Sequence, residues 1–224
     1  MNKTELDTLF RENFPFWDSI KESERQTFIN SSQYVHFSKG TNIHDGNNCT
    51  GVIIIKKGSL RLYMLSDEGK EITLYRLFPG EMCMLSASCV LNSITFDVFV
   101  DAEEESECIV VGGCAYANLA ERNAQVNIFA LETALSRFSD VMWVMQQILF
   151  MSMDKRLAIF LLDEIAKSGS DTVNLTHEQI AKYMGSAREV VSRMLKYFAT
   201  EKIVENSRGG VKIIDKNRLR QLSR

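Results

Sequence analysis

Between about residues 34 and 113, short apolar segments alternate with segments that contain glycine and polar residues. The apolar segments read VIIIKK, LRLYML, ITLYRL and ITFDVFV, and they are rich in β-branched and aromatic residues. Glycines punctuate this region at intervals of 12, 11 and 11 residues: Gly46, Gly58, Gly69 and Gly80. Short strands with glycine-containing turns are typical of an antiparallel sandwich, barrel or roll. We expect a hairpin turn at residues 66–71, with Gly69 at positive φ, and a helix at about 22–30 ahead of the strands.

A helical repeat replaces the strand pattern between about residues 118 and 151. The apolar positions lie alternately three and four residues apart: Ile128, Leu131, Leu135, Phe138, Met142, Met145 and Leu149. No proline follows Pro79, so we expect one uninterrupted helix. The alternation is that of a coiled-coil seam and predicts a homodimer interface, whereas the alternative is an amphipathic core helix in a monomer. Val141, Val144 and Ile148 add a second apolar face that could pack on the strand-rich region.

Two further helices are predicted after this one. The first covers about residues 154–167 and ends at the turn SGSD. The second begins at a capping box, with Thr176 as N-cap and Gln179 reaching back to it. Its buried face consists of Ile180, Ala181 and Met184. Gly185 then ends the helix and permits a tight turn.

A third helix follows this turn and runs to about Thr200. Residues 186–189 read Ser-Ala-Arg-Glu and form a second potential capping box, ten residues after the first. Two capped helices joined at a glycine predict a helix-turn-helix. Residues 203–214, IVENSRGGVKII, are expected to form two strands around the turn at 207–210, which is typical of a wing.

The last predicted helix has two chemically distinct faces. Its apolar face contains Val191, Met194, Leu195 and Phe198. Its opposite face contains Arg188, Glu189, Ser192, Arg193 and Lys196. Basic and polar donors in this number suit the major groove of DNA.

The charge distribution supports a nucleic-acid partner for the C-terminal region. The 224-residue chain has a net charge of −3, but from Thr176 onward it has eleven Lys and Arg against five Asp and Glu. The remainder is therefore acidic, so only the C-terminal part is expected to face phosphates. The composition, 45% hydrophobic and 25% charged, is ordinary for a globular protein and excludes wholesale disorder.

Targeting signals and cysteine usage point to the cytoplasm. No apolar run approaches the length needed to cross a bilayer, and the charged N-terminus is unlike a signal peptide. We therefore expect no membrane association and a reducing compartment. An odd number of cysteines, five, argues against a disulfide framework.

In this order of elements the chain resembles the Crp/Fnr family of bacterial transcription regulators. The most specific match is LTHEQIAKYMGSAREVVSRMLKYF, and KGTNIHDGN, IKKGSLRLY, EGKEITLYRLFPGE and DKRLAIFLL support it. The resemblance implies an α+β fold. It comprises an N-terminal antiparallel β-roll of the cyclic-nucleotide-binding kind, a double-stranded β-helix, with a helical lead at 1–115. A dimerisation helix would occupy 116–152 and a winged helix-turn-helix 153–224.

The resemblance also assigns a DNA-binding set in the last domain. Arg188, Glu189 and Arg193 match the base-reading positions of the family, and Ser192 matches a base-contacting serine of its Fnr-like branch. Some of these side chains could instead touch only phosphate or one another. Thr176 and His177 match backbone contacts, although His177 could equally be an ordinary exposed helix residue. The full expected set is Thr176, His177, Ser186, Arg188, Glu189, Ser192, Arg193, Lys196 and Lys212.

In the sensor region this chain departs from the family's cyclic AMP pattern. Family members that bind cyclic nucleotides carry an arginine and a serine after the Gly-Glu of the cassette, but no arginine or lysine follows Gly80-Glu81 before Arg122. A carboxylate near the expected place, Asp97, would repel a cyclic phosphate. We therefore expect cyclic AMP not to bind, and Arg137 to pair with Glu81 instead. The expected effector pocket comprises Gly80, Glu81, Cys83, Cys89, Phe96, Asp97, Arg137, Val141 and Met142.

The cysteines and histidines leave a second interpretation open. The cysteines lack iron–sulfur and zinc spacing, so no metal site is predicted and the cofactor is unknown. Each cysteine is expected to be a buried structural residue, but Cys83 and Cys89 could respond to oxidants or nitric oxide. His36, His44 or a cysteine could hold a haem. An enzyme built on a cupin-like domain is disfavoured, because neither a metal triad nor a nucleophile with its base is visible.

These observations predict a regulator and not an enzyme. Its expected partners are double-stranded DNA with a palindromic promoter site, a second copy of the chain and RNA polymerase. The expected effector is an unidentified small molecule or redox signal. The alternative is a redox, nitric oxide or haem sensor that uses cysteines or histidines of the β-roll and also binds DNA.

Overall fold

The strand-rich and helical regions fold as two compact units. The structure is a computed structural model and describes residues 2–46, 49–87, 90, 96–207 and 209–224. One unit comprises residues 1–69 and 74–141, and the other comprises residues 70–73 and 142–224. The antiparallel N-terminal sheets, the long helix and the C-terminal helix-turn-helix confirm the predicted fold class.

Two four-stranded antiparallel sheets form the body of the first unit. Their strands are β1 (Ser32–Phe37), β2 (Asn42–His44), β3 (Val52–Lys57), β4 (Leu60–Leu65), β5 (Glu71–Leu77), β6 (Met82–Cys83), β7 (Phe99–Ala102) and β8 (Ser106–Val111). One sheet has the order β1-β8-β3-β6 and the other β2-β7-β4-β5. The predicted hairpin between β4 and β5 is confirmed, because Gly69 has φ +77° and its N–H donates to the Ser66 carbonyl at 2.8 Å.

The continuous apolar run of β3 is explained by burial on both faces. Successive side chains of a strand point to opposite sides. Ile53 and Ile55 contribute to a core shared by the two sheets, whereas Val52 and Ile54 contribute to a second core that contains the N-terminal helices. A strand covered on both sides therefore has no polar alternation to reveal its period.

Aromatic side chains join the N-terminal helices to the second core. These helices are α1 (Lys3–Asn13), a 3₁₀ turn (Trp17–Ser19), α2 (Glu22–Asn30) and α3 (Gly113–Arg122). The Phe28 ring meets those of Phe10 and Phe14 nearly edge-on, with centroids 5.2 and 5.5 Å apart. Tilted and edge-on aromatic pairs at this distance stabilise the fold by more than the burial of their apolar area alone. The predicted helix at 22–30 is confirmed as α2.

The long helix, α4 (Ala124–Phe150), begins later than predicted. Asn123 takes an extended conformation between α3 and α4, with φ −132° and ψ 111°. Its side-chain oxygen accepts a hydrogen bond from the Gln125 N–H at 2.9 Å. The expectation of one uninterrupted helix from about residue 118 was therefore wrong. A capping asparagine, and not a proline, interrupts it.

The second unit contains the remaining helices and a three-stranded sheet. Its elements are α5 (Met153–Ser168), β9 (Thr172–Val173), α6 (His177–Met184), α7 (Arg188–Thr200), β10 (Val204–Ser207), β11 (Gly210–Ile213) and α8 (Lys216–Leu222). The sheet order is β10-β11-β9. The expected wing strands are confirmed as β10 and β11, although Arg208 at their turn lies outside the described residues. The sequence did not predict β9 or α8.

Candidate DNA interface and sensor core

The first helix of the predicted motif is capped as its sequence requires. The Thr176 hydroxyl accepts from the Gln179 N–H at 3.2 Å, and the Gln179 side chain accepts from the Thr176 N–H at 2.8 Å. The reciprocal pair satisfies two donors that a helix start leaves open. Ile180, Ala181 and Met184 are buried, so they anchor α6 in the core of the unit.

Gly185 makes the turn between the two helices of the motif. Its φ of +59° is left-handed, which glycine adopts without steric cost. The N–H of Ser186 donates to the Ala181 carbonyl at 2.9 Å and closes the turn. The turn leads into α7 within a few residues, and the buried faces of α6 and α7 share one core.

The start of α7 differs from the prediction in one respect. The N-cap is Ala187, and no side chain caps the helix, so the expected second capping box at residues 186–189 does not form. The Ser186 hydroxyl instead contacts the Met153 sulfur at 3.8 Å. Because the helix begins at Arg188, the serine lies one position too early to reach the open backbone N–H groups.

The two faces of α7 separate as predicted. Val191, Leu195 and Phe198 are fully buried. Arg188, Glu189, Arg193 and Lys196 are exposed, and Ser192 is half-buried among them. Burial of one face fixes the rotation of the helix, so the polar side chains are presented outward.

The exposed cations of this surface form no ion pair with the described part of the protein. Across the part of the chain that the structure describes, no salt bridge involves Arg188, Arg193, Lys196 or Lys212. In contrast, Arg218 on α8 pairs with Glu201 at 2.6 Å. Unpaired guanidinium and ammonium groups retain all their hydrogen-bond donors for an external anion.

A cleft of about 320 Å³ separates the start of α6 from the wing. Thr176 and His177 line it from α6, Arg188 from α7, and Ser207 and Gly209 from the wing turn. Beside the cleft, His177 Nδ1 and Ser192 Oγ are 3.0 Å apart and hydrogen-bonded. The structure therefore brings most of the predicted DNA-binding set onto one surface, and Lys212 is exposed on β11.

In the first unit the expected pairing of Arg137 with Glu81 is confirmed. Arg137 Nη2 donates to Glu81 Oε1 at 3.2 Å, and Nη1 donates to Asp140 at 3.1 Å. The guanidinium also lies over the Tyr75 ring, 5.1 Å from its centroid. The other Glu81 oxygen accepts from the Phe78 N–H at 2.8 Å. Arg137 is thus committed to two carboxylates and a ring.

The other expected pocket residues lie in different environments. Val141 packs against the core shared by the sheets, and Gly80 makes a turn with φ +87°. Phe96 and Asp97 are exposed, and Met142 is exposed and belongs to the second unit. Cys89 lies outside the described residues. The structure therefore connects Arg137 with Glu81, and it leaves Phe96 and Asp97 facing solvent.

The environment of Cys83 disfavours thiol chemistry. The side chain is fully buried, and burial raises the pKa of the Cys83 thiol. Burial likewise raises the pKa of Cys108 to about 12. The nucleophile in oxidation is the thiolate, so a raised pKa slows oxidation of the cysteine.

The odd number of cysteines argued against a disulfide framework, yet Cys49 is disulfide-bonded.

The two histidines considered for haem are engaged in protein contacts. Nδ1 of the buried His44 is hydrogen-bonded to the Thr50 hydroxyl at 2.8 Å, and burial lowers the pKa of His44. His36 lies 3.3 Å from Glu105. Among the described residues, no group of three or more His, Cys, Asp and Glu side chains could hold a metal ion.

None of the described helices is long and apolar enough to span a membrane.

The capped helix α6, the glycine turn, the exposed polar face of α7 and the wing define a winged helix-turn-helix DNA-binding protein. Comparisons with known families agree: a Crp-like helix-turn-helix domain matches residues 155–222, and a cyclic nucleotide-binding domain matches residues 34–123.

A Crp/Fnr-family protein from Eubacterium rectale, whose crystal structure is known, is 44% identical in sequence to this chain. The match covers 94% of this chain and 98% of that protein's chain, and the two structures superpose with a TM-score of 0.90. The chain therefore belongs to the Crp/Fnr family of transcription regulators.

More distant relatives agree with this membership. The probable transcriptional regulator Flp of Lacticaseibacillus casei is 24% identical over 90% of this chain and 92% of its own. The cAMP-activated global transcriptional regulator CRP of Haemophilus influenzae is 22% identical over 75% of this chain and 77% of its own. The structure of FixK2 from Bradyrhizobium japonicum shares the fold, with 17% identity, 86% and 98% coverage and a TM-score of 0.69. The chain is a DNA-binding transcription regulator and not an enzyme, as predicted.

Proposed function

We propose that the protein binds a partly palindromic promoter site as a homodimer, with α7 of each protomer in the major groove of one half-site. The observation that carries this proposal is the exposed polar face of α7, whose cations have no salt bridge to a described residue. Two-fold symmetry places the half-sites about 34 Å apart, one helical turn of DNA.

Base reading is assigned to the exposed first turns of α7. Arg188 would grip the O6/N7 edge of guanine with two hydrogen bonds, and Glu189 would accept from the amino group of cytosine on the opposite strand. Ser192 and Arg193 lie one turn further along the same face. These contacts predict G·C pairs read on opposite strands of each half-site, and the family resemblance implies half-sites resembling TGTGA or TTGA.

The remaining polar residues of the surface would bind the DNA backbone. Thr176 and His177 lie at the start of α6, where N–H groups and side chains can meet phosphate. Lys196 and Lys212 are exposed and can supply charge from α7 and the wing, and Ser186 lies at the turn before α7. These contacts would fix the register of the protein without selecting sequence.

Dimerisation is assigned to α4. All seven predicted seam residues are exposed, from 44% for Met142 to 65% for Leu135. Of the residues along α4, Val126 and Ala130 alone are buried in this chain, and both lie in its first two turns. An apolar stripe at coiled-coil spacing is stabilised when a second copy covers it.

Control of the protein is assigned to an effector other than cyclic AMP. The Haemophilus influenzae relative is named as cAMP-activated, but this chain lacks a cation between Arg76 and Arg122 in sequence. Arg137 could compensate only by leaving Glu81 and Asp140, with which it is hydrogen-bonded. A regulator of this class would act on RNA polymerase at promoters, and we place it in the cytoplasm because its DNA is there.

A selection from random DNA tests the proposed function. The full-length protein is incubated with a random library, and bound DNA is recovered and sequenced through several rounds. We expect enrichment of two inverted half-sites whose centres are one helical turn apart. Enrichment of a single half-site would contradict the dimeric mode of binding, and a lack of enrichment would contradict sequence-specific reading by α7.

A further inference from the structure

His177 and Ser192 form a hydrogen-bonded pair across the helix-turn-helix. His177 is the first residue of α6, and Ser192 lies on the outward face of α7. Their side chains meet at 3.0 Å, from Nδ1 to Oγ, although 15 residues separate them in sequence. Both side chains are only partly buried, so both retain access to a ligand on that surface.

The pair restricts what the serine hydroxyl can do. A free serine has one donor hydrogen and two acceptor lone pairs, and it rotates to suit any base edge. Within a helix it can also turn back to the carbonyl four residues earlier. In this structure the hydroxyl is hydrogen-bonded to His177. If Nδ1 accepts the hydroxyl hydrogen, the oxygen is left solely as an acceptor for DNA, whereas if Nδ1 donates, the hydroxyl keeps its hydrogen and one lone pair and can still play either role.

We propose that His177 is a positioning residue whose Nδ1 accepts the Ser192 hydroxyl hydrogen, which leaves the serine oxygen solely as an acceptor for DNA and so sets the base preference at the position Ser192 reads. This inference rests on the proposed function of α7 as the reading helix. A hydroxyl with one fixed role distinguishes amino groups of bases from carbonyl oxygens, which a rotating hydroxyl does not. His177 therefore acts on sequence choice through Ser192, in addition to any contact it makes with phosphate.

Four variants test the pairing against a simple backbone contact. They are Ser192→Ala, His177→Ala, His177→Asn and His177→Gln. The asparagine amide can occupy the place of Nδ1 and restore a partner for Ser192. The glutamine amide extends towards the place of Nε2, so it keeps a polar group for phosphate but does not reach the hydroxyl. Affinity is measured for sites that carry each base pair in turn at every position of the selected half-site.

The expected result is a loss confined to one position. Ser192→Ala, His177→Ala and His177→Gln should each lower discrimination there by roughly three- to tenfold, the effect of one neutral hydrogen bond. His177→Asn should retain the parental preference. The double variant Ser192→Ala with His177→Ala should lose no more base discrimination at this position than either single variant, because the two residues act as a unit.

Two results would overturn the inference. One is an equal loss of affinity for all sequences in His177→Ala, with base preference intact, which is the behaviour of a phosphate contact. The other is an additive loss of base discrimination at that position in the double variant. Circular dichroism melting of each variant identifies folding defects, and the comparison of His177→Asn with His177→Gln stands without the alanine variant.

Failure of the proposed function has a different signature. If Arg188→Ala and Ser192→Ala both keep every base preference of the parent, α7 is not the reading helix and both proposals fail. If Arg188→Ala relaxes its position but neither His177→Ala nor His177→Gln alters the Ser192 position, the pairing inference alone fails.

Discussion

Helices α4 and α7 each present one face that the fold of the chain leaves uncovered, but the two faces differ in chemistry. The face of α4 carries seven apolar side chains at coiled-coil spacing, all exposed. The face of α7 carries Arg188, Glu189, Arg193 and Lys196, while its opposite face is fully buried at Val191, Leu195 and Phe198. One helix therefore lacks an apolar partner, and the other lacks an anionic one.

The chemistry of each face indicates which force would hold its partner. Apolar area is stabilised by removal from water, an effect that salt does not screen. Cations that bind phosphate release counterions from DNA, so their binding weakens steeply as salt concentration rises. DNA binding through α7 should therefore weaken with salt, whereas dimerisation through α4 should change little, and the following experiments separate them.

The largest effect is expected from charge in the α4 stripe. In the double variant Leu135→Glu with Met142→Glu, carboxylates would meet their own copies across the two-fold axis, so the protein should become monomeric. Analytical ultracentrifugation measures the change. Affinity for the full palindrome should fall on the order of a hundredfold, because one half-site contact no longer tethers the second.

A control with the same added charge isolates the stripe from general electrostatics. Ser136→Glu with Gln146→Glu adds two carboxylates at exposed polar positions of α4, outside the seven-residue seam. It should remain dimeric. A dimer that persists in Leu135→Glu with Met142→Glu would remove the coiled-coil assignment.

The next largest effect is expected at Arg188, the residue proposed to bind guanine. Arg188→Ala should weaken binding to the selected site by about 1–3 kcal/mol and relax the choice of base at one position, because a bidentate contact is lost. Repeated selection from random DNA measures the preference. Arg122→Ala, which removes an exposed cation from the first unit, should leave preference unchanged. Retention of full preference in Arg188→Ala would refute the role assigned to α7.

A smaller and uniform effect is expected in the wing. Lys212→Ala should weaken binding to all sequences about equally and lower the slope of log affinity against log salt by about one unit, since one phosphate contact is removed. Salt titrations on specific and scrambled sites measure both quantities. A change in base preference without a change in slope would show that Lys212 reads bases. The dimer should show no comparable salt dependence.

Cyclic AMP is expected to alter neither dimerisation through α4 nor DNA binding through α7. Arg137 is held by Glu81 and Asp140, and no cation follows Glu81 in the cassette. Calorimetry should detect no binding at micromolar cyclic AMP, and DNA affinity should be the same with and without it. Micromolar binding would overturn this expectation. Glu81→Gln then tests whether release of Arg137 from its partner creates a phosphate site.

Local signals in the sequence were sufficient for the elements of the DNA interface. The capping box at Thr176, the left-handed glycine at Gly185 and the two faces of α7 depend on residues within one or two helical turns. Such interactions are short in sequence, so pattern and spacing reveal them. The heptad spacing of α4 is equally local, and it indicates a partner without defining where the helix starts.

Tertiary structure decided the features that depend on distant residues. The use of Ala187 instead of Ser186 as N-cap follows from where α7 begins in the folded unit. The helix break at Asn123 is different, because its capping hydrogen bond to the Gln125 N–H is a local signal that the apolar pattern did not reveal. Strand β9 forms because β11 offers it a free edge, at Val211↔Val173. Short strands have too few residues to show a period, so only their pairing makes them visible.

The same division applies to the functional side chains. Helical spacing placed Arg188 and Glu189 on the polar face of α7, and the family resemblance supplied their base-reading roles and the selection of His177. The pairing of Arg137 with Glu81 was predicted because a buried carboxylate needs a partner. The hydrogen bond between His177 and Ser192, and the burial of Cys83 that raises its pKa, depended on how separate segments pack together. A sequence determines which groups are present and how they repeat along a helix. Only the folded chain decides which groups meet, because burial and hydrogen bonding depend on distances that the sequence does not contain.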